Sequence, residues 1–367
     1  MTISTLFSGP GVYAGSGLIA LTTGFASEVG RLSFESEESR SNEAYNYADG
    51  LRRVIEGRDR TGDIMNLNFH FDNDAHIDDL AAFVVLWSAV GDRLLSATVS
   101  NGDSILASAL ETYRRLFKLL DIKHMKLGAA QKNVRNSFPM AWRKTSDEVN
   151  GIELISKTDA SSQQTKPDSS IEVLRECVQK GPVRLVTTGP LTNIAEWFQS
   201  RPEDRDKIHS LVIMGGALNV AGNVPVSETS DGTTEWNFFA DPAAAEVVLS
   251  SGLPILLIPL DVAGQIPVSD DFIRLLSQEK LIKSQLVHQL WDIVYRRYDY
   301  FLWDVVAAVA AVNPELFTFE EHRLSVVQEG RAQGRLMAIG DGPLCQVAIQ
   351  LDKAAVLARV MDLLSKG

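Results

Sequence analysis

The chain has 367 residues, 45% of them hydrophobic, so it is long and apolar enough to bury a sizeable core. Its 47 acidic residues outnumber 35 basic ones and give a formal net charge of -12. This charge argues against a nucleic acid partner, because neutralising a polyanion requires clustered Lys and Arg. The two cysteines, Cys177 and Cys345, lie far apart and indicate neither a disulfide framework nor a zinc site, so we expect a reducing compartment.

Residues 1–60 differ in composition from the remainder of the chain. The first 27 residues carry no charge, so they lack the basic region of a secretory signal and the arginines of a transit peptide. No apolar run reaches the roughly 18 residues that suggest a membrane span, and we expect no membrane partner. We therefore predict a cytoplasmic protein with a peripheral N-terminal extension, residues 1–60, and one main globular domain, residues 61–367.

From about residue 64 the chain alternates short apolar runs with longer segments of 3.6-residue periodicity. This alternation predicts an α/β fold with an open, mostly parallel, Rossmann-like sheet flanked by helices. Amphipathic helices are predicted over residues 108–121 and 169–180. Asp241 as an N-cap and Pro242 at the first helical position predict the start of a further helix.

The C-terminal third of the chain begins with another apolar run and ends with a helical one. Its periodicity predicts strands and helices in turn. The predicted elements are a buried strand over residues 254–261, a helical region over 268–311, a hairpin made by 322–330 and 334–342, a strand over 346–351 and a final helix from about 353.

Five of the apolar runs end in polar or glycine-rich turns. In open parallel sheets the ligand crevice lies beyond the carboxyl ends of the strands, so we expect these turns to converge on one site. The turns are FDND at 71–74, VSNGD at 99–103, VTTGPLTN at 186–193, VIMGGA at 212–217 and IPLDVAG at 258–264.

The first of these turns concentrates negative charge, with Asp72, Asp74, Asp78 and Asp79 within eight positions. Capping explains one or two of them, because carboxylates accept hydrogen bonds from the unpaired N–H groups at a helix start. Four carboxylates in a partly buried turn raise one another's pKa values unless a cation lies between them. An all-oxygen site without suitable Cys or His indicates a hard cation, and a flexible mixed geometry favours Ca²⁺ over Mg²⁺.

Two further residues allow both a structural and a functional interpretation. His76 lies inside the aspartate cluster, but a hard cation disfavours imidazole, so we interpret it as a loop residue. Asp304 follows Trp303 at the head of an apolar helix. An Asp in that place is usually a cap, and the alternative is a fifth carboxylate for the metal. Sequence distance leaves both interpretations open.

The order and spacing of five motifs resemble those of the nucleoside hydrolase family, from about residue 64 to the end of the chain. They are the DxDxxxDD run, the TTGPLTN turn, the IMGG turn, the EWNxxxDPxAA segment and a C-terminal Asp that heads a helix. NSFPMAWR at 136–143, SDGTTEWN at 230–237 and the Trp303–Asp304 pair resemble the inosine-adenosine-guanosine-preferring branch, whereas other branches commonly have His before the last Asp. Residues 61–367 would then be the catalytic domain.

The resemblance implies roles for individual residues. The ligands of a Ca²⁺ ion would be Asp74, Asp79, the backbone carbonyl of Thr188, and Asp304. The ribose would be held by Asp78, Asn223, Glu235 and Asn237, with Met214 beside the sugar and either Asp103 or Asn101 at the border of the pocket. The purine would lie between Trp142 and Trp303, near Tyr300 and one of Arg296 and Arg297. Asp72 is expected to brace its neighbours.

The activity that the resemblance implies is hydrolysis of purine ribonucleosides (inosine, adenosine and guanosine) to base and ribose, for purine salvage, by a homodimer. Asp74 would take the proton of the attacking water, Asn237 would hold the sugar, and Trp303 would help the stacked purine to gain a proton. Two alternatives are a broad or pyrimidine-preferring hydrolase and a non-catalytic nucleoside-binding protein.

The sequence also departs from the family pattern at three positions. Ala75 and His76 stand where the common family form has Pro-Gly, although the purine-preferring branch also lacks that Pro. Ala141 stands before Trp142 where a Glu is often found, a change that bears on gating or affinity.

Overall fold

The structure is a computed structural model that describes residues 66–159 and 167–366. The N-terminal extension predicted over residues 1–60 lies outside the described residues. Ten strands form one sheet. They are β1 (Asn68–Asn73), β2 (Leu94–Val99), β3 (Lys126–Ala129), β4 (Asp168–Ser169), β5 (Val183–Thr187), β6 (Ile208–Met214), β7 (Ile255–Ile258), β8 (Phe317–Val326), β9 (Leu336–Ala338) and β10 (Leu344–Leu351).

Fourteen α-helices connect or flank these strands in the described part of the chain. They are α1 (Ile77–Val90), α2 (Leu106–Leu119), α3 (Met140–Arg143), α4 (Thr145–Gly151), α5 (Glu153–Ser156), α6 (Ser170–Val178), α7 (Thr192–Ser200), α8 (Trp236–Ala240), α9 (Pro242–Leu249), α10 (Leu260–Ala263), α11 (Asp270–Gln278), α12 (Ile282–Asp292), α13 (Trp303–Val312) and α14 (Lys353–Ser365). Within the described ranges, no helix has the length and apolar character that crossing a membrane requires.

The strand order of the sheet is β4-β3-β2-β1-β5-β6-β7-β10-β8-β9. Strands β1 to β7 pair in parallel, and β10 joins β7 in parallel, whereas β8 is antiparallel to both β10 and β9. The prediction of a mostly parallel α/β sheet is therefore confirmed. From β1 the chain passes to β2 on one side and later returns to β5 on the other, so a crevice opens beyond the ends of β1 and β5.

Helices α1 and α13 pack against each other over one face of the sheet. Both are apolar on nearly every side, because they are buried on all sides rather than along one stripe. Four buried alanines of α13, Ala307, Ala308, Ala310 and Ala311, keep its side chains small. The first turns of the two helices carry Asp78–Asp79 and Trp303–Asp304, and these four residues line the same pocket.

The helical prediction for residues 268–311 is wrong in two places. Residues 279–281 lie between α11 and α12, and Glu279 has an extended backbone. Residues 293–302 form turns that end in a short antiparallel contact, in which the N–H groups of Val268 and Leu302 donate to the carbonyls of Tyr300 and Ile266. Tertiary pairing overrides helix periodicity here, and it fixes Tyr300 just before α13. The predicted hairpin between β8 and β9 is confirmed.

Arg184 of β5 generates a prediction about stability. Its buried guanidinium donates from Nη1 to the carbonyl of Ala311 at 2.6 Å and from Nε to Ser210 Oγ at 2.9 Å, which ties the end of α13 to the sheet. Arg184→Met is expected to lower the free energy of unfolding by about 1–3 kcal/mol, because the Ala311 carbonyl loses its buried partner. Urea denaturation measures this. The exposed control Arg175→Met should change little, and equal effects of the two variants would contradict the assignment.

Candidate active site

The turns that follow β1, β2, β5 and β6 meet at one pocket with the start of α13, which confirms the prediction for four of the five turns. The fifth turn, residues 258–264, contributes nothing to the lining of this pocket, because Leu260–Ala263 form helix α10, whose apolar side chains pack into the hydrophobic core. Sixteen residues line it, and most of them carry carboxylate, amide or aromatic side chains. They are Asp74, His76, Asp78, Asp79, Asp103, Phe138, Trp142, Thr188, Met214, Asn223, Glu235, Trp236, Asn237, Tyr300, Trp303 and Asp304.

The turn after β1 carries Asp74 into the pocket through an unusual backbone conformation. Ala75 has φ 61°, in the left-handed region that side chains other than glycine rarely adopt. Two hydrogen bonds hold this turn: the Ala75 N–H donates to Asn73 Oδ1 at 2.9 Å, and the His76 N–H donates to Asp79 Oδ2 at 2.9 Å. The capping interpretation is thus correct for one oxygen of Asp79, whose other oxygen accepts from Thr188 Oγ1 at 2.5 Å.

The loop after β2 fixes the Asp74 carboxylate. The Asp103 N–H donates to Asp74 Oδ2 at 2.7 Å, and the Ser104 hydroxyl donates to the Ala75 carbonyl at 2.9 Å. Gly102 lies so close that an added Cβ would be 2.1 Å from Asp74 Oδ2. Asp74 is therefore held in one place by a loop that has no room for a side chain at position 102.

A group of acidic oxygens in the pocket has the spacing of a metal site. One carboxylate oxygen from each of Asp78, Asp79 and Asp304 lies within 4.8 Å of the other two. Asp74 and Thr188, which the sequence also assigns to the metal, line the same pocket. The Thr188 carbonyl accepts a hydrogen bond from Asn237 Nδ2 at 2.7 Å. Asp78, expected at the ribose, is thus close to the metal group as well.

The electrostatics of this group fit a hard cation. Burial, followed by repulsion from neighbouring carboxylates, raises the pKa of Asp74 and of Asp304 well above the usual range, and burial also raises the pKa of Asp79. A divalent cation would offset this cost, since it favours the ionised carboxylates. Carboxylates and a backbone carbonyl are the oxygen ligands that Ca²⁺ and Mg²⁺ take.

Three of the residues assigned to ribose, Asn223, Glu235 and Asn237, line the pocket around the start of α8. Glu235 caps this helix and accepts from the N–H groups of Asn237 at 2.7 Å and Gly216 at 3.0 Å. Burial raises the pKa of Glu235 to about 7, although these hydrogen bonds act in the other direction. Asn223 Oδ1 accepts from the Trp236 N–H at 3.0 Å, and Met214 ends β6 and lines the same pocket.

Two groups of aromatic rings also line the pocket, and together they are called the aromatic wall. Trp142 meets Trp236 edge-on at 5.1 Å between ring centroids, and Phe138 stacks on Trp236 at 4.8 Å. Trp303 lies 4.8 Å from the ring of Tyr300. Trp142, Trp303 and Tyr300 are predicted site residues, whereas Phe138 and Trp236 are not, although both occur inside motifs that the sequence singles out.

His76 is the residue for which sequence reasoning fails most clearly. It is only 4% exposed and lines the pocket, with Nδ1 2.8 Å from Tyr300 Oη and 3.4 Å from Asp78 Oδ1. Burial alone would lower the pKa of His76, but the carboxylates of Asp103, Asp78 and Asp79 outweigh burial and raise it to about 9. The interpretation as a simple loop residue is wrong, because the turn points the imidazole inwards.

Other expected site residues lie outside this pocket. The Asn101 side chain accepts from Arg143 Nη2 and donates to Asn133 Oδ1 at 2.5 Å, while its neighbour Asp103 reaches the pocket. Arg296 is exposed and lies over the ring of Tyr295, and Arg297 pairs with Glu148. The turns of residues 293–302, in place of a helix, direct both arginines away from the pocket.

Asp72 is buried behind the pocket. Its Oδ1 accepts from Thr98 Oγ1 at 2.5 Å and from Asn193 Nδ2 at 2.8 Å, and its carboxylate is absent from the pocket lining. These contacts join β1 to β2 and to α7, so they are the brace that the sequence predicts for Asp72.

Comparison with known proteins places the chain among nucleoside hydrolases. A family model described as "Inosine-uridine preferring nucleoside hydrolase" matches residues 69–358. The pyrimidine-specific ribonucleoside hydrolase RihA of Escherichia coli O1:K1 is 28% identical over 317 residues, which cover 81% of this chain and 98% of RihA.

Two solved structures add to this comparison. The inosine-uridine preferring nucleoside hydrolase from Bacillus anthracis is 27% identical with a TM-score of 0.76, and the match covers 82% of this chain and 100% of that chain. The purine-preferring ribonucleoside hydrolase from Gardnerella vaginalis is 23% identical with a TM-score of 0.67, and the match covers 81% of this chain and 99% of that chain.

The acidic group generates a prediction about cation binding. Asp304→Asn removes one negative charge from the group and is expected to weaken Ca²⁺ binding at least about tenfold, measured by calorimetric titration. Asp299→Asn, a matched change at an exposed position nearby, should leave the affinity unchanged. A cation that binds Asp304→Asn as tightly as the unaltered protein would remove Asp304 from the ligand set.

Proposed function

Since the chain belongs to the inosine-uridine nucleoside hydrolase family, whose members hydrolyse the N-glycosidic bond of ribonucleosides, we propose that its substrates are purine ribonucleosides and that its metal is calcium. Inosine, adenosine and guanosine would each be cleaved to free base and ribose, a reaction of purine salvage, by a homodimer. The observation that carries the proposal is that the aromatic wall and the carboxylate cluster line the same pocket.

The aromatic wall supports a purine rather than a pyrimidine as the leaving base. Its indoles, Trp142, Trp236 and Trp303, and the ring of Tyr300 offer more flat π surface than a single pyrimidine ring covers. Family membership does not decide the question, because RihA is pyrimidine-specific and the Gardnerella vaginalis enzyme is purine-preferring. The choice of purine therefore rests on the side chains of this pocket.

Calcium is proposed because of the ligand set. The sequence assigns Asp74, Asp79, the Thr188 carbonyl and Asp304 to the metal, and all four residues line the pocket. Ligands from three separate turns give the flexible, mixed geometry that Ca²⁺ accepts more readily than Mg²⁺ does. When bound, the cation supplies a position for the attacking water and lowers the pKa of that water.

Asp74 is proposed as the general base. The Asp103 N–H donates to Oδ2, and this bond fixes the orientation of the carboxylate in the pocket. Proton transfer requires a hydrogen-bond distance in the bound state, and a carboxylate fixed by a backbone donor needs no further ordering. Asp74 would therefore accept a proton from the water as the water attacks C1′.

The sugar is proposed to bind between the metal group and the start of α8. Asp78, Glu235 and Asn237 present oxygens and an amide to the ribose hydroxyls, and these bonds strengthen as positive charge develops on the ring. Asp103 Oδ1 is buried and has no hydrogen-bond partner in the described part of the chain, so it is a further acceptor at the border of the site. Asn223 and Met214 line the same pocket.

Departure of the base requires a proton on the purine. Stacking on Trp142 and Trp303 favours a cationic ring by about 0.5–2 kcal/mol, so it raises the basicity of the bound purine. His76 Nδ1 and Tyr300 Oη are hydrogen-bonded at 2.8 Å, and the ring of Tyr300 lies 4.8 Å from that of Trp303. Solvent or these groups would deliver the proton.

A pyrimidine-preferring hydrolase is the second candidate, favoured by the similarity to RihA. A panel of inosine, adenosine, guanosine, uridine and 2′-deoxyinosine, assayed for free sugar with calcium and after exhaustive chelation, separates the candidates. Purine ribosides are expected to exceed uridine in kcat/KM by at least about tenfold. The deoxyriboside should react far more slowly, because the missing hydroxyl leaves polar groups unpaired.

Each arm of this panel has an outcome that counts against the proposal. A higher kcat/KM for uridine than for all three purine ribosides would establish the second candidate. Turnover that persists after chelation would remove calcium. Binding of purine ribosides without release of ribose would favour the nucleoside-binding protein that the sequence left open.

Gly102 provides a test of the Asp74 assignment that leaves the carboxylate in place. In Gly102→Ala the new Cβ would lie 2.1 Å from Asp74 Oδ2, so the carboxylate must move. Moving the carboxylate by about 1 Å is expected to lower kcat by about 100-fold, and Asp74→Asn should lower kcat at least as far. Gly340→Ala, where an added Cβ meets nothing within 4 Å, is the matched control.

Thermal melting must show that the Gly102→Ala variant is folded before its kcat is compared. Normal turnover in a folded Gly102→Ala variant would show that the observed position of Asp74 is not needed for the reaction, and the base assignment would fail.

A further inference from the structure

Arg143 joins two parts of the pocket that come from distant segments of the chain. It follows Trp142 on the four-residue helix α3, and its Nη2 donates to Asn101 Oδ1 and to the Ser104 carbonyl, the latter at 3.3 Å. The side chain is half-buried, and its Nε is buried without a hydrogen-bond partner among the described residues. A partly buried guanidinium loses part of its hydration, and its hydrogen bonds to Asn101 and Ser104 compensate for that loss.

The loop that Arg143 contacts is also bonded to the proposed general base, Asp74. Asn101 and Ser104 flank Gly102 and Asp103 in the loop after β2. Within that loop the Asp103 N–H donates to Asp74 Oδ2 at 2.7 Å, and the Ser104 hydroxyl donates to the Ala75 carbonyl at 2.9 Å. The loop after β2 therefore binds both the guanidinium of Arg143 and the carboxylate of Asp74.

Helix α3, which carries Arg143, also carries Trp142 of the aromatic wall. Trp142 is partly exposed, and its indole meets Trp236 edge-on at 5.1 Å. Helix α3 contains one turn, and such a short helix has little stability of its own. A second link, in which Ser146 Oγ donates to the Arg143 carbonyl at 2.7 Å and accepts from the Ile105 N–H at 3.3 Å, runs beside the first. Both links attach α3 to the same loop.

We propose that Arg143 is a positioning residue that sets Trp142 against the Asp74-bearing side of the pocket, so that a base stacked on the indole is aligned with the attacking group. The proposal deepens the proposed function, because it depends on the role of Trp142 at the leaving base. The contacts of Asn101 then have a purpose different from the one expected from the sequence: Asn101 holds the arginine and leaves the pocket to Asp103.

A double-mutant cycle distinguishes a positioning role of Arg143 from a purely structural one. Arg143→Met keeps an unbranched apolar side chain and removes the donors, and it is expected to raise KM about tenfold, because the indole loses its fixed position. In a Trp142→Ala background the same change should raise KM less than about threefold, since no indole remains to be positioned. Lys144→Met, at the next and exposed residue, is the control and should leave KM unchanged.

The cycle is measured with the ribonucleoside that the unaltered enzyme cleaves fastest, whether purine or pyrimidine. A wrong assignment of the nucleobase would therefore appear in the substrate panel and would not affect the cycle. Thermal melting of each variant accompanies the kinetics. An unchanged KM in Arg143→Met would overturn the proposal. An equal rise of KM with and without Trp142 would also overturn it, and would assign Arg143 to general stability. Partial recovery of KM in Arg143→Lys, which keeps the charge, supports the proposal.

Discussion

Mutual repulsion among buried carboxylates is the constraint on which the organisation of this site depends. Asp74, Asp79 and Asp304 are each almost completely buried, and burial, followed by repulsion from carboxylates in the same group, raises their pKa values. A mostly apolar α/β core disfavours such a group of ionised carboxylates, and a bound divalent cation would offset that cost. The switch point between β1 and β5 and the packing of α1 on α13 bring these residues together.

The alternation of apolar and polar segments made the fold and the general place of the site predictable. Turns after parallel strands meet at one edge of the sheet, so the pattern alone predicts that Asp74, Thr188 and Met214 lie there. The direction of a side chain within a turn depends on backbone angles that the residue type does not determine. This is why Asn101 turned outwards beside Asp103, and why His76 turned inwards.

The arginines near the leaving base illustrate the second limit of sequence reasoning. Periodicity predicted a helix across residues 293–302, but the backbone there pairs with residues 266–268 instead. Long-range pairing of this kind has no local signal, and it carried Arg296 to the surface while it placed Tyr300 in the pocket. The aromatic partners Phe138 and Trp236 were missed for a different reason, because a buried ring within a motif is equally typical of core packing.

The left-handed backbone of Ala75 also restricts which residues can stand at this position. The common family form that the sequence resembles has Pro-Gly where this chain has Ala75 and His76, yet a φ of 61° excludes a proline ring, whose φ is fixed near -65°. A single Ala75→Pro replacement would also remove the N–H that donates to Asn73. A proline can therefore stand at position 75 only if the whole turn is rebuilt, and such a rebuilt turn would no longer direct His76 into the pocket in the same way.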